Sequence, residues 1–251
     1  MARVLLIGES WFVHSIHQKG FDSFTTSEYE EGGQEFVAAL RGAGHEVSHM
    51  PAHRIESDFP RVADDLRALA DVIVISDVGA NSFQLSHATF ARSVVEPDRI
   101  GMITDFVGAG GGVLMVGGYM TFAGIDGRAR WADTTLAGLL PVTVRTRDDR
   151  VELPAGVEPK VVGAHAIVAE LDATWPPLLG LNRVEAREGS KTLAVAGDDP
   201  LLVVGTAGAG RAAAFTSDLS PHWATPAFLA WDGYRPLFDR IVRWLSGELD
   251  D

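Results

Sequence analysis

The sequence predicts one α/β domain built on a mostly parallel sheet, with helices on both faces and antiparallel strands added in its C-terminal half. Three observations lead there. Short apolar runs alternate with amphipathic stretches in the first half, the pattern of parallel strands joined by crossover helices. After Pro141 the texture changes to short strand candidates separated by turn-rich segments. The chain of 251 residues can bury a sizeable core and shows no internal repeat or low-complexity linker, so a single elaborated domain over 1–251 is expected.

Val4 to Ile7 reads as the first buried strand. Gly33 to Leu40 reads as the body of a helix ended by Arg41-Gly42-Ala43-Gly44, with His45 to His49 as a more polar strand behind it. Val72 to Ser76 and Val113 to Val116 are further buried strands. Between them Pro97 to Val107 reads as a helix with Pro97 near its first turn and Gly110-Gly111-Gly112 after it. In the second half the strand candidates are Val142-Thr143-Val144, Val161-Val162, Thr192 to Ala196, Leu201 to Val204 and Ala212 to Thr216, several of which should pair antiparallel at the edge of the main sheet. Tyr234 to Leu245 gathers Leu237, Ile241 and Trp244 on one face and closes the domain as an amphipathic helix. None of these patterns encodes the strand order.

Acidic side chains outnumber basic ones, 34 to 21, for a formal charge of −13. Such a surface repels phosphate backbones and anionic lipid, so no nucleic-acid or membrane partner is expected and a small-molecule ligand is. There is no cysteine, which removes disulfides, thiolate zinc sites and cysteine nucleophiles. The first apolar run is too short for a signal peptide, and none later reaches eighteen residues, so a cytoplasmic location is expected.

Three clusters could carry chemistry. The strand ending at Val116 runs into Gly117-Gly118-Tyr119-Met120-Thr121-Phe122, where glycines permit the sharp strand-to-helix turn on which nucleophile elbows are built. Tyr119, Met120 and Thr121 occupy it; none is a usual elbow nucleophile, Thr121 stays a candidate, and a plain packing turn is an equal reading. The second cluster, Ser217-Asp218-Leu219-Ser220-Pro221-His222-Trp223, follows the strand Ala212 to Thr216 and suits a general base or electrophilic donor at His222, or else a packing corner. The third is the polar segment Gly8 to Asp22, read as a functional loop, in which Glu9, His14, His17 and Asp22 offer either metal ligands or an acid–base pair. Its spacing fits no standard metal motif, and no cofactor motif occurs elsewhere.

Asp77, in Ser76-Asp77-Val78-Gly79-Ala80-Asn81, falls on the same sheet edge if the strands are parallel, as a ligand contact or a cap. His53, His87 and His165 read as isolated surface or hydrogen-bonded histidines. Asp148-Asp149 between Arg147 and Arg150 reads as a solvated turn, and the aromatic surroundings of Trp131 and Trp175 would suit a subunit contact in a homo-oligomer.

Together, Gly8-Glu9-Ser10-Trp11, Lys19-Gly20-Phe21-Asp22, Ser76 to Asn81, Gly117-Gly118-Tyr119 with Phe122 and Gly124, Asp148 to Glu152, and Ser217-Asp218 with Pro221-His222-Trp223 resemble the bacterial and archaeal proteins labelled putative glutamine amidotransferase domain, over nearly the whole chain. The resemblance implies a flavodoxin-like core of the class I glutamine amidotransferase type. In active enzymes of that class an elbow cysteine works with a His-Glu pair to release ammonia from glutamine. Here Tyr119 stands near the cysteine's place and His222 where the histidine is expected, so the thioester route is closed and the label implies ancestry more than activity.

A more distant resemblance to trehalose-utilisation proteins implies a carbohydrate ligand, with Trp11 and Trp223 stacking on a sugar and Glu9, Asp22, Asp77 and His222 binding hydroxyls. Two functions compete: a hydrolase or isomerase of a small polar, sugar-derived metabolite, and a non-catalytic oligomeric binding module. For the first, Glu9, Tyr119 and His222 are the catalytic candidates. Ligand contacts are expected from Ser10, Trp11, His14, Lys19 and Asp22, from Asp77 and Asn81, and from Gly118, Asp218 and Trp223.

Overall fold

The structure, a computed structural model, describes residues 1–251. The first half contributes β1 (Arg3–Gly8), β2 (Ser10–Lys19), β3 (Asp22–Glu31), β4 (Glu46–Met50), β5 (Val72–Ser76) and β6 (Gly112–Val116). The second contributes β7 (Val142–Thr143), β8 (Arg150–Val157), β9 (Pro159–Val161), β10 (Leu178–Asn182), β11 (Glu185–Ala186), β12 (Lys191–Ala196), β13 (Asp199–Ala207) and β14 (Gly210–Phe215). Eight of these form the main sheet in the order β4-β1-β5-β6-β14-β13-β12-β9. The first five are parallel neighbours, and β13, β12 and β9 extend them antiparallel. Taken in chain order, the parallel strands run 2-1-3-4-5, the flavodoxin-like arrangement in which the path reverses beside the first strand.

Strands covered on both faces carry unbroken apolar runs rather than alternating, as β1, β5 and β6 do over residues 4–7, 72–75 and 113–116. Along β1, Val4 and Leu6 enter one core with the helices Gln34–Gly42 and Tyr234–Leu245, where Phe36 meets Phe238 edge-on at 5.1 Å. Leu5 and Ile7 enter the other with the helices Ala63–Leu69 and Arg99–Gly108. Each such side chain contributes roughly 1.5–3 kcal/mol by leaving water.

The expected elements are present, with bounds moved by up to three residues, the largest change being the strand expected over Leu201 to Val204, which runs from Asp199 to Ala207. Asp98 caps the helix Arg99–Gly108 by accepting from the Gly101 amide at 2.9 Å, so Pro97 sits just ahead of the cap rather than in the first turn. After β6 the chain makes tight turns and a 3₁₀ segment at Ile125–Gly127, so the expected strand-to-helix turn leads into no α-helix. Trp131 and Trp175 are core residues, the first donating to Val78 O and the second to Asp172 O, and neither offers a subunit contact.

The largest correction concerns Gly8 to Asp22. It is not a loop: β2 and β3 form an antiparallel hairpin in unbroken register from Ser10↔Glu31 to Lys19↔Asp22, with Gly20-Phe21 at the tip. Trp11, Phe12, Val13 and Ile16 supply the aromatic and β-branched residues that favour a strand. No helix is long and apolar enough to cross a membrane.

Candidate functional site

The site lies at the carboxyl edge of β1 and β5, where the strand path reverses and flavodoxin-like sheets hold their ligands. Both strands hand over to an acidic residue in the left-handed backbone region, Glu9 at φ 46° and Asp77 at φ 44°. Such a conformation costs a non-glycine residue on the order of 1–3 kcal/mol and persists where surroundings enforce it. Gly8 makes the first turn feasible: a Cβ there would lie 1.9 Å from Ser76 O, the carbonyl that accepts from the Glu9 amide at 3.0 Å. The Glu9 side chain is thereby held over the sheet edge, accepting from Ser76 Oγ at 2.5 Å and from Ser220 Oγ at 2.8 Å.

The chain leaving β14 supplies the facing wall. Asp218 Oδ1 accepts from the Ser220 amide at 3.1 Å, and its Oδ2 lies 3.5 Å from His222 Nδ1. The imidazole meets the Tyr119 ring edge-on at 4.2 Å. Tyr119 is fixed in turn: its hydroxyl donates to Glu152 at 2.9 Å, and the Arg150 guanidinium covers its ring at 4.5 Å. Asp77 Oδ1 accepts from the Met120 amide at 2.7 Å, fastening the turn after β6 to the end of β5.

Glu9, Trp11, Asp77, Tyr119, Asp218, Ser220, Pro221 and His222 line one cavity of about 300 Å³. Burial, reinforced by the Asp218 charge, pushes the Glu9 carboxyl up to about 8, so it carries a proton at neutral pH. The same causes, burial first, raise Asp77 to about 6. The hydrogen bond to Asp218 raises the imidazole of His222 against the opposing effect of its burial. The cavity thus contains a neutral buried acid, an acid that titrates just below neutrality and a histidine biased toward its cation. Another cavity, at the amino edge beside Arg67 and Asp71, lacks such a set, its charges being spent in the Arg67–Asp64 and Arg3–Asp71 ion pairs.

A buried brace supports the turn after β6. Asn182 accepts from the Gly118 amide at 2.9 Å and donates to Gly118 O and to Asp149 Oδ1. Asp149 also accepts from the amides of Ala123 and Gly124. At 2% exposed, Asp149 is no part of a solvated turn; only Asp148, paired with Arg150, fits that expectation. Thr121 is fully buried and absent from the cavity wall, which removes it as a nucleophile candidate.

The structure therefore brings together six predicted residues, Glu9, Trp11, Asp77, Tyr119, Asp218 and His222, and disperses the rest. Ser10 is spent at the hairpin root, accepting from the Ala52 amide at 2.7 Å. His14 pairs with Ser27 across the hairpin, and Lys19 faces Asp22 at its tip, away from the cavity. Asn81 opens the short helix Asn81–Gln84. Gly118 is needed for space, since a Cβ there would lie 2.8 Å from Asp77 Oδ1, and its amide already serves Asn182.

Trp223 is 1% exposed, its indole over Gly180 and its Nε1 donating to Glu152 at 3.1 Å, so it has no face free for a sugar. The metal grouping of Glu9, His14, His17 and Asp22 does not assemble: His17 stacks on Phe24 along the hairpin, and no three His, Asp or Glu side chains converge as ligands. Sequence reasoning missed Ser76, Ser220, Glu152 and Asn182. Ser220 was legible in Asp218-Leu219-Ser220, a spacing at which an aspartate commonly bonds the backbone two residues on.

A family model described as "Putative glutamine amidotransferase" matches residues 3–247. The solved structure of Cytoplasmic Protein STM3548 from Salmonella typhimurium is similar at 42% identity and TM-score 0.94, covering 97% of this chain and 98% of its own. Cytoplasmic Protein STM1381 from Salmonella typhimurium LT2 is similar at 44% identity and TM-score 0.92, covering 96% and 98%. A ThuA-like protein from Bacteroides uniformis shares the fold at 12% identity and TM-score 0.55, covering 96% and 89%. No curated protein matches in sequence.

Proposed function

This chain belongs to the putative glutamine amidotransferase family, and from that premise, with its cysteine lacking, we propose that it binds and converts a neutral, polyhydroxylated, sugar-derived metabolite rather than glutamine. The observation that carries this reading is the convergence of Glu9, Asp77, Asp218 and His222 with the aromatic Trp11 and Tyr119 around one cavity. Carboxyl oxygens accept from hydroxyl groups, and aromatic faces pack on the apolar face of a sugar ring. With Glu9 neutral, the carboxylates of Asp77 and Asp218 against one imidazole give a field that disfavours phosphate or carboxylate ligands.

His222 is the general base or acid, held through Nδ1 by Asp218 so that Nε2 is free for the ligand. Asp77 is the second titrating group on the same space, and protonated Glu9 supplies a neutral donor that adds no further negative charge. Hydrolysis and isomerisation both draw on such a set of proton-transfer groups. We place the protein in the cytoplasm, as the two Salmonella proteins are named.

A thermal-shift series tests the ligand class: a neutral sugar at about one hundred times its dissociation constant adds roughly 2.7 kcal/mol to the folded state. Neutral aldoses, ketoses or polyols are expected to raise Tm, with the shift reduced by Asp77→Asn and His222→Gln. Stabilisation by sugar phosphates or glutamine instead would overturn the reading. The competing reading, a non-catalytic binding module, is favoured by one observation: the Met120 amide beside the elbow is already bonded to Asp77. Ligand binding without turnover of any stabilising sugar would select it.

A further inference from the structure

Apart from Met1 and Val162, every large apolar side chain exposed on this protein lies in two stretches, 11–29 and 62–95. The first is the hairpin. Its register divides the arm into two unlike faces: Lys19, Asp22, Glu28 and Glu30 fall on one with Trp11, while Phe12, Ile16 and Tyr29 fall on the other among His14, Gln18, Ser23, Thr25 and Ser27. Beyond its root the second face carries no carboxylate, lysine or arginine. Only its base is covered, Phe12 and Tyr29 meeting His53 at 5.6 and 5.1 Å, and Ile16 is 76% exposed.

The other stretch centres on the helix His87–Arg92, none of whose six residues is buried. Phe90 there is 80% exposed, and Leu85, Val94 and Val95 are exposed beside it. From Leu85 to Val95 there is no acidic residue and one arginine, on a chain whose charge is −13. The two stretches belong to the same end of the molecule, since the His87 amide donates to Glu56 in the short helix Ile55–Asp58 that follows His53.

We propose that the protein associates with a second copy of itself, each copy laying the uncharged face of its hairpin over the apolar surface around His87–Arg92 of the other. Two-stranded hairpins and helices of two turns are marginal in water without cover. A second copy supplies both covers at once and is always present in equal amount. Strongly acidic copies repel one another over most of their surfaces, and these two surfaces are where that repulsion is least. An arm about 33 Å long at ~3.3 Å per residue and about 10 Å wide presents on the order of 300 Å² per face. Two arms with the two surfaces that receive them bury on the order of 1,200 Å², the lower bound of stable interfaces.

Sedimentation of the full chain tests the association, with twice the chain mass expected at micromolar concentration. Ile16→Glu and Phe90→Glu, at exposed positions, are each expected to give monomers with an unchanged circular dichroism spectrum. The absence of cysteine allows the contact itself to be read: mixing Ile16→Cys with Phe90→Cys protein and oxidising should give a crosslinked heterodimer, beyond any homodimer of either alone. A monomeric wild type, or Ile16→Cys chains that crosslink only to one another, would overturn the proposal.

Discussion

The backbone amide of Met120 donates a 2.7 Å hydrogen bond to the carboxyl group of Asp77. In a working elbow the amide following the nucleophile points at the oxyanion of the tetrahedral intermediate. Here that donor is already paired with a carboxyl oxygen, so the site lacks both the thiolate and the donor. Restoring the thiol alone should therefore restore nothing: Tyr119→Cys is expected to release no ammonia from glutamine above the wild-type background. A coupled ammonia assay checks this, with Tyr119→Cys/Asp77→Ala as the variant in which the amide is freed.

Glu9 ties stability to pH. Its folded carboxyl titrates near 8 because burial and Asp218 disfavour its charge, while in the unfolded chain it returns to the ordinary carboxylate range. Between those values the unfolded state has lost a proton that the folded state keeps. Stability is thus complete below the unfolded value and falls as pH rises, at up to about 1.4 kcal/mol per pH unit for one proton, levelling off above the folded value. Asp77 adds the same sign over the narrower window ending near 6. Urea midpoints from pH 5 to 8.5 should decline for the wild type and flatten in Glu9→Gln, which keeps the shape and removes the titration.

His222 depends on Asp218 for its protonation bias. The hydrogen bond between them is the largest cause of its raised imidazole value, and Asp77 and Glu152 add to it through their charges. Asp218→Asn removes the charge while keeping a similar shape, and should lower the His222 titration midpoint. Proton NMR of the imidazole across pH 5 to 9 reads this directly, and turnover of any ligand found should shift its acidic limb with it.

The parts of this molecule that were legible share a physical reason. Val4 to Ile7, Val72 to Ser76 and Val113 to Val116 stand out because a strand covered on both faces reads as a near-continuous apolar run, broken here only by Ser76 at the site edge. Glu9, Asp77 and Tyr119 were legible because each lies within three residues of the end of a strand in the main sheet, where the fold places its ligands, and His222 because it lies in the polar segment that leaves the strand ending at Phe215. The hairpin was read as a loop because His14, Ser15, His17 and Gln18 mask the β-prone residues between them, and a strand with two exposed faces lacks the buried stripe that makes periodicity visible. Asp149 was taken for a surface residue because its partners, Asn182 and the amides of Ala123 and Gly124, are 25 or more positions away. No local pattern announces a contact made only in three dimensions.

That brace gives the last prediction. Asn182 is fully buried and serves three groups: the Gly118 amide, the Gly118 carbonyl and Asp149. Removing the side chain strands a buried amide and takes one donor from a buried carboxyl whose value burial has already raised. An unmade buried hydrogen bond costs about 1–3 kcal/mol, so Asn182→Ala should lose on the order of 2–4 kcal/mol, compared with less than 0.5 kcal/mol expected for a surface change such as Lys160→Ala. Because Gly118 adjoins Tyr119, and Asp77 holds the next amide in the same turn, the damage should extend to the site. Ligand affinity should fall in Asn182→Ala even under conditions where the variant is fully folded, while Asn182→Asp, which retains an acceptor for the Gly118 amide but places a second carboxyl beside Asp149, should become progressively less stable as pH rises. Calorimetric binding alongside urea titration at pH 6 and 8 separates the two effects, and a variant that loses stability with no change in affinity would show that the brace does not position the turn.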